Sequence, residues 1–187
     1  MSASSIFAWA DEAEHRMCII ANAACRRRTI RTIFRTVSRL GDGVFWYALI
    51  LTIPLWFGLD RLSAGLLVSL QMLVTGAIGA GLYKTLKTKL VRERPFIGLI
   101  GIECAMPPLD RYSFPSGHTL HAVLFSTIAI SHVPDLAIIL LPFTLLIAAS
   151  RVVLGLHYPS DVIVGALLGW TIAKLSGVGQ ILFHVAS

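Results

Sequence analysis

The chain has 187 residues, of which 56% are hydrophobic and 14% are charged, and its mean hydropathy is +0.76. A soluble domain carries about 25% charged residues, so this composition favours a membrane domain. It also excludes a disordered chain, and three cysteines without metal-type spacing are too few for a disulfide scaffold.

The net charge of +6 comes from basic residues that are grouped between long uncharged runs. This grouping is typical of multi-pass membrane proteins, in which Lys and Arg lie at the ends of the spans. A nucleic-acid-binding surface would instead interleave basic and aromatic residues on a soluble fold. We therefore predict a lipid bilayer as partner and no nucleic acid.

Residues 1–40 are predicted to form a basic arm that contains an amphipathic helix. Ile30, Ile33, Phe34 and Val37 recur at helical spacing, and arginines occupy the opposite face. Such a helix lies in the headgroup region of a bilayer instead of crossing it. A solvated basic arm is the alternative interpretation.

A transmembrane core of about five helices is predicted over residues 44–183, and the whole chain, 1–187, is predicted to form a single domain. The predicted spans cover residues 44–59, 62–82, 117–133, 135–149 and 162–183. The second run carries no charge and is long enough to cross a hydrocarbon core about 30 Å thick. In the last span, Gly165 and Gly169 indicate close helix packing. The predicted fold is therefore all-α, a multi-pass membrane helical bundle with an N-terminal interfacial helix.

Two polar clusters interrupt the spans, at residues 84–118 and 150–161. The first follows the second predicted span and the second follows the fourth, so both lie at the same membrane face. Lys87, Arg94 and Arg151 supply three cations, which suit a tetrahedral dianion such as a phosphoryl group. Ser116 and the Gly117 amide would add neutral donors at the positive end of the third helix.

Two histidines and one carboxylate complete the polar clusters. Asp161 follows His157 by four residues, and a carboxylate beside an imidazole sets the tautomer that leaves the other ring nitrogen free to attack phosphorus. His118 can then protonate the leaving oxygen. His121, one helical turn further, is assigned a structural role, and the alternative is that it faces the same site. Arg92 has two open interpretations, contact with a second phosphate or an ordinary interfacial arginine.

The three motifs K-x6-R-P, P-S-G-H and S-R-x5-H-x3-D run in this order from Lys87 to Asp161. They resemble the three motifs of the type 2 phosphatidic acid phosphatase (PAP2) superfamily, whose small bacterial members are integral-membrane lipid phosphatases. The resemblance implies a PAP2-like helical core, His157 as the nucleophile, Asp161 as its orienting partner and His118 as the general acid. It also implies no metal and no other cofactor. The residues that would hold the phosphate are Lys87, Arg94, Ser116, Gly117 and Arg151.

The substrate implied by this resemblance is a membrane lipid that carries a phosphomonoester or pyrophosphate. Candidates are undecaprenyl pyrophosphate, phosphatidylglycerophosphate, phosphatidic acid and lipid A phosphate. A lipid phosphotransferase that uses the same phosphohistidine is the main alternative, followed by a non-catalytic lipid-binding or transport protein. Vanadate-dependent haloperoxidases share the motifs, but they are soluble and larger.

The expected location is the bacterial inner membrane. Basic residues concentrate at the predicted active-site face, which the positive-inside rule would make cytoplasmic. Resemblance to bacterial lipid phosphatases of the family instead implies a periplasmic face, which we take as the prediction.

Overall fold

The computed structural model describes the backbone of residues 3–186 and the side chains of residues 11–177. The described backbone contains eight α-helices and no β-strand. This confirms the all-α prediction. The helices are α1 Ala3–Ala23, α2 Arg28–Gly41, α3 Val44–Trp56, α4 Leu62–Lys89, α5 Pro95–Gly98, α6 Gly117–His132, α7 Ala137–Val153 and α8 Pro159–Ala186.

Each predicted span coincides with one helix, in the order α3, α4, α6, α7 and α8. The largest difference is at α4, which continues about two turns beyond residue 82 because the lysines there are good helix formers. Lys87 therefore lies on a helix. Within the described residues, Leu59–Lys89 and Pro134–Val153 are long and apolar enough to cross a membrane, and Val44–Trp56 is a shorter apolar helix. Five spans stay a prediction.

The outward faces of the long helices are apolar. Leu51 on α3, Leu67 on α4, and Ile138 and Leu145 on α7 are 63% to 82% exposed. Large exposed apolar surfaces mark contact with a membrane or with another protein. On helices of this composition, such faces fit contact with lipid chains.

Helix α6 lies inside the bundle and contacts α4, α7 and α8. Leu120, Leu124 and Ile128 are almost completely buried there. At Gly165 of α8, a Cβ atom would lie 2.5 Å from the carbonyl oxygen of Ser116, and Gly169 is closer still to α6. The prediction of close packing at these glycines is confirmed, and this packing brings the second and third motifs together.

The N-terminal helices α1 and α2 pack on the core, chiefly against α7. Asn22 is 4% exposed, and its side-chain amide donates to the carbonyl oxygens of Glu103 and Val153, both at 3.0 Å. Phe34 and Val37 of α2 pack against the buried clusters, as expected for the apolar side of an amphipathic helix. The arm is thus folded onto the bundle instead of extending into solvent.

Candidate active site

A cavity of about 400 Å³ opens among the helices that carry the three motifs. Its walls come from the end of α2 and the turn into α3, from α3, α4 and α6, from the segments before and after α5, and from the last turn of α7 with the turn that follows it. Asp161 and Ser116 do not line the cavity, and both are fully buried. The predicted site residues that line the cavity are Lys87, Arg94, Gly117, His118, Arg151 and His157.

A tight turn after α7 holds Arg151 and His157 side by side. The backbone amides of Leu156 and His157 both donate to the carbonyl oxygen of Arg151 at 3.0 Å. The turn requires Gly155, which has φ +75° and where a Cβ atom would lie 2.8 Å from the carbonyl oxygen of Glu103. The short third motif therefore places a cation and an imidazole on the same wall.

The two ring nitrogens of His157 face different partners. Nδ1 is buried without a hydrogen bond to any described residue and lies 3.5 Å from Oδ2 of Asp161, whereas Nε2 lies 3.4 Å from Nη1 of Arg94. Because a guanidinium only donates, Nε2 is the acceptor and Nδ1 carries the proton. Burial, together with the charges of Arg151 and Arg94, holds the pKa of His157 well below its ordinary value. The imidazole is therefore neutral and directs its lone pair towards the cations.

Asp161 is held by donors from two sides. Its Oδ1 accepts from Nη1 of Arg92 at 2.7 Å, and its Oδ2 accepts from the backbone amide of Tyr158 at 2.9 Å. The guanidinium of Arg92 also stacks 3.9 Å above the Tyr158 ring. Arg92 therefore contacts the carboxylate behind His157, which neither interpretation from sequence anticipated.

The cations Lys87 and Arg94 share one carboxylate that sequence reasoning missed. Lys87 Nζ donates to the two carboxylate oxygens of Asp110 at 2.6 and 2.7 Å, and Arg94 Nη2 donates to Oδ1 at 2.5 Å. Burial of Asp110 opposes its ionisation, but the contacts with Lys87 and Arg94 outweigh burial and hold the pKa of Asp110 below its ordinary value. Asp110 thus occupies the donors that were predicted to bind phosphate.

Arg151 contributes a donor that has no partner among the described residues. Its side chain is 2% exposed and lines the cavity, and Nη1 bonds to the Ser38 hydroxyl of α2. Nε of Arg151 is buried without a hydrogen bond to any described residue. An unpaired buried N–H is unfavourable, so an anion that accepts from it would be stabilised.

His118 lies on the first turn of α6 and faces a second carboxylate that the sequence did not reveal. Its Nε2 bonds to Oδ1 of Asp42, which lies in the turn between α2 and α3. Both residues line the cavity. Gly117 also lines it and fits against Tyr83, since a Cβ atom there would lie 3.2 Å from the Tyr83 ring.

Ser116 has a different contact from the predicted one. Its hydroxyl lies 2.9 Å from the Thr119 hydroxyl and accepts from the Thr119 backbone amide at 3.4 Å, so it caps α6. The backbone amide of Ser116 donates to the carbonyl oxygen of Asp161 at 3.0 Å. A hydroxyl engaged in this way, and fully buried, is directed to the helix end and does not line the cavity.

His121 bridges two helices, as a structural role requires, and it also lines the cavity, as the alternative interpretation expected. Nδ1 lies 2.9 Å from the carbonyl oxygen of Gly117 on α6, and Nε2 lies 3.1 Å from that of Gly76 on α4.

The described part of the chain contains no group of three or more His, Cys, Asp or Glu side chains that could hold a metal ion. A metal-free reaction stays a prediction.

The model of the PAP2 superfamily matches residues 67–178, which are more than half of the chain and include all three motifs. The chain belongs to the PAP2 superfamily. The matched residues begin within α4, so the N-terminal helices α1 to α3 lie outside them.

Two curated relatives carry phosphatase names. Phosphatidylglycerophosphatase B of Haemophilus influenzae is 39% identical over 74 residues, which are 34% of this chain and 31% of the relative. Decaprenylphosphoryl-5-phosphoribose phosphatase of Mycolicibacterium smegmatis is 37% identical over 99 residues, covering 48% of this chain and 51% of the relative. The chain thus spans less than a third of the length of the first relative and about half of the length of the second.

Two crystal structures share the fold over most of both chains. LpxE of Aquifex aeolicus superimposes with a TM-score of 0.72 and 27% identity, covering 86% of this chain and 92% of LpxE. The transmembrane PAP2-type phosphatidylglycerolphosphate phosphatase of Bacillus subtilis gives a TM-score of 0.72 and 26% identity, with 91% and 86% covered. The fold is therefore that of transmembrane phosphatases of the superfamily.

Proposed function

We propose that the protein is a lipid phosphatase of the bacterial inner membrane, which removes a phosphomonoester or pyrophosphate group through a phosphohistidine on His157. One observation carries the proposal. The unprotonated Nε2 of His157 faces the cationic end of a cavity whose other end is apolar. Relatives named as phosphatases of phosphatidylglycerophosphate and of decaprenylphosphoryl-5-phosphoribose support a substrate that combines a lipid with a phosphate.

The apolar end of the cavity supports an amphiphilic substrate. Helices α3, α4 and α6 contribute its walls, and the outer faces of α3 and α4 are apolar. A lipid can therefore keep its chains beside these helices while its phosphate reaches the charged end. The apolar lining includes Trp46, Ile50, Leu73, Ala77 and Phe125.

Substrate binding would begin with an exchange of anions. A phosphoryl dianion requires the same donors of Lys87 and Arg94 that Asp110 now occupies, so the phosphate displaces this carboxylate. Arg151 also lines the cavity and its Nε has no hydrogen-bond partner among the described residues, so we expect this guanidinium to donate to another phosphate oxygen. Three cations around phosphorus would stabilise the extra charge that develops on its oxygens in the transition state.

In the first chemical step, the lone pair on Nε2 of His157 forms a bond to phosphorus while the bond from phosphorus to the lipid oxygen breaks. His118, in its protonated form, donates its proton to that leaving oxygen. Asp161 faces Nδ1–H of His157 and stabilises the positive charge that the ring acquires. The products of this step are the dephosphorylated lipid and phospho-His157.

In the second step, water attacks the phosphohistidine. His118 accepts a proton from the water as the oxygen bonds to phosphorus, and the bond between phosphorus and Nε2 breaks. Inorganic phosphate leaves, His157 is again neutral, and His118 is protonated for the next cycle. Asp42, which bonds to His118, would favour the protonated state at this point.

The test is phosphate release by the purified protein in detergent. The substrates are phosphatidylglycerophosphate, phosphatidic acid, undecaprenyl pyrophosphate and lipid A phosphate, and glycerol 3-phosphate is the water-soluble control. The assay is run with and without EDTA, and His157→Ala supplies the blank. We expect release from at least one lipid, unchanged by EDTA and absent in the variant.

Other results of the same assay would contradict the proposal. Equal rates with glycerol 3-phosphate would argue against a lipid substrate, and a strict need for divalent metal would argue against the metal-free mechanism. Transfer of labelled phosphate to an added lipid alcohol, without release to water, would identify a phosphotransferase instead.

The site is proposed to face the periplasm. Three of the basic residues at this face, Lys87, Arg94 and Arg151, line the cavity, so substrate binding accounts for them without reference to the positive-inside rule. With five spans the C-terminus lies on the opposite side. A reporter that fluoresces only in the cytoplasm, fused after Ser187, should therefore fluoresce. A dark fusion, together with activity of a second fusion to a reporter that works only in the periplasm, would contradict this orientation.

A further inference from the structure

An ionic network connects the N-terminal helix α1 with the carboxylate behind His157. Oε2 of Glu14 accepts from Nη2 of Arg92 at 2.7 Å, and Nη1 of the same guanidinium donates to Oδ1 of Asp161 at 2.7 Å. Glu14 lies on α1, outside the residues that match the superfamily, and its side chain is 12% exposed. The network therefore attaches a segment outside the family match to the centre of the site.

Glu14 also binds the beginning of α8, next to Asp161. Its Oε1 accepts from the backbone amide of Ser160 at 2.7 Å, and the Ser160 hydroxyl in turn accepts from Nη1 of Arg92 at 2.7 Å. The first amides of a helix have no partner within the helix, and an anion at that end interacts favourably with the helix dipole. Glu14 therefore stabilises both the guanidinium of Arg92, which binds Asp161, and the backbone at the beginning of α8, which carries Asp161.

The position of Glu14 determines how Arg92 binds Asp161. A guanidinium prefers to bind one carboxylate with two parallel hydrogen bonds. Here Glu14 takes one arm of Arg92, so that Asp161 receives only the other arm, at Oδ1. Oδ2 stays directed to the Tyr158 amide and lies 3.5 Å from Nδ1 of His157.

We propose that Glu14 is a positioning residue of the phosphatase reaction. By occupying one arm of Arg92, it keeps the second oxygen of Asp161 available to His157. This inference rests on the proposed function. It does not involve the residues that would bind phosphate, so substrate affinity and the chemical step should respond differently to a change at Glu14.

The test compares Glu14→Ala and Glu14→Gln with Glu12→Ala. Glu12 is on the same helix, but it pairs with Arg16 at the surface, where both side chains are at least 60% exposed. The measurement is the single-turnover rate constant with enzyme in excess over a lipid substrate that the wild type hydrolyses. At saturating enzyme this constant does not depend on the fraction of enzyme that is folded, as long as the folded enzyme stays in excess over the substrate.

We expect the rate constant of Glu14→Ala to fall about tenfold or more, the scale seen when a supporting partner of a functional side chain is lost. The inhibition constant of inorganic phosphate should change less than about twofold, a difference of under about 0.5 kcal/mol. Glu14→Gln keeps an oxygen acceptor without the charge and should lie between Glu14→Ala and wild type. Glu12→Ala should match wild type.

Three results would overturn the inference. The first is a rate constant for Glu14→Ala equal to that of Glu12→Ala. The second is a loss of phosphate affinity as large as the loss of rate. The third applies if Glu14→Ala does not fold. It is a rate constant for Glu14→Gln equal to that of wild type. A wild-type protein that releases no phosphate from any lipid would instead remove the proposed function itself.

Discussion

The region that matches the superfamily, residues 67–178, and the N-terminal helices α1 and α2 contribute in different ways to one site. The matching region carries the histidines and the cations. The N-terminal region, with its turn into α3, adds Glu14, Ser38 and Asp42, each bonded to a charged or ionisable side chain of the matching region. Although arginines dominate the surface of this arm, the groups that it places at the site are acidic or neutral. The reacting groups therefore all come from the matching region, whereas the groups that orient them come partly from that region, as with Asp161, and partly from the N-terminal helices.

The largest effect should follow loss of the nucleophile in the matching region. His157→Ala is expected to reduce phosphate release from a lipid substrate at least about a thousandfold, because no other group can form the covalent intermediate. His132→Ala is the matched control and should keep wild-type activity. His132 is the last residue of α6, at the opposite end of this helix from His118. Substantial turnover in His157→Ala would mean that the two regions do not divide the work as described.

An intermediate effect is expected when Asp42, the carboxylate that the N-terminal region places against His118, loses its charge. Asp42→Asn should lower kcat about tenfold, since the carboxylate that favours protonated His118 is replaced by a neutral amide and general acid catalysis weakens. Asp60→Asn changes an exposed aspartate and serves as control. A kcat equal to that of the control would show that the N-terminal contact with His118 has no part in the chemistry.

The smallest effect, and one in the opposite direction, should come from the carboxylate within the matching region. Asp110→Asn removes the anion that competes for Lys87 and Arg94, so inorganic phosphate should inhibit about fivefold more tightly, equivalent to about 1 kcal/mol. The measurement is the inhibition constant of phosphate, and Glu103→Gln on the same segment is the control. Weaker inhibition in Asp110→Asn would show that this carboxylate supports phosphate binding instead of competing with it.

Much of the helical framework follows from local sequence. The five predominantly apolar runs coincide with helices because a run of apolar residues between polar segments satisfies its backbone only as a helix when it lies in lipid. Helix α4 continues beyond the predicted span because the helix does not end where the uncharged run ends. Lys87 lies on its last turns, where lysines with long side chains are good helix formers.

The motif residues were recognisable because their types and spacing are unusual between apolar runs, and the cavity collects six of them. Ser116 is predicted to bind phosphate because it lies in the second motif, at the positive end of the third predicted helix. The same position also requires a cap, and in the structure its hydroxyl serves α6. Arg92 carried too little local information, since its partner carboxylates are distant in sequence.

The class of fold, the family and the chemical types gathered at the site can be predicted from the sequence, because they depend on apolar runs and on residues a few positions apart. The partners of those residues follow from helix packing and are visible only in the folded chain. Glu14, Asp42 and Asp110 carry no local signal, since isolated acidic residues in a helix or turn have no period or spacing to mark them. Their roles arise from charges brought within hydrogen-bonding distance, and the strength of such contacts depends on burial and distance, which helix packing sets.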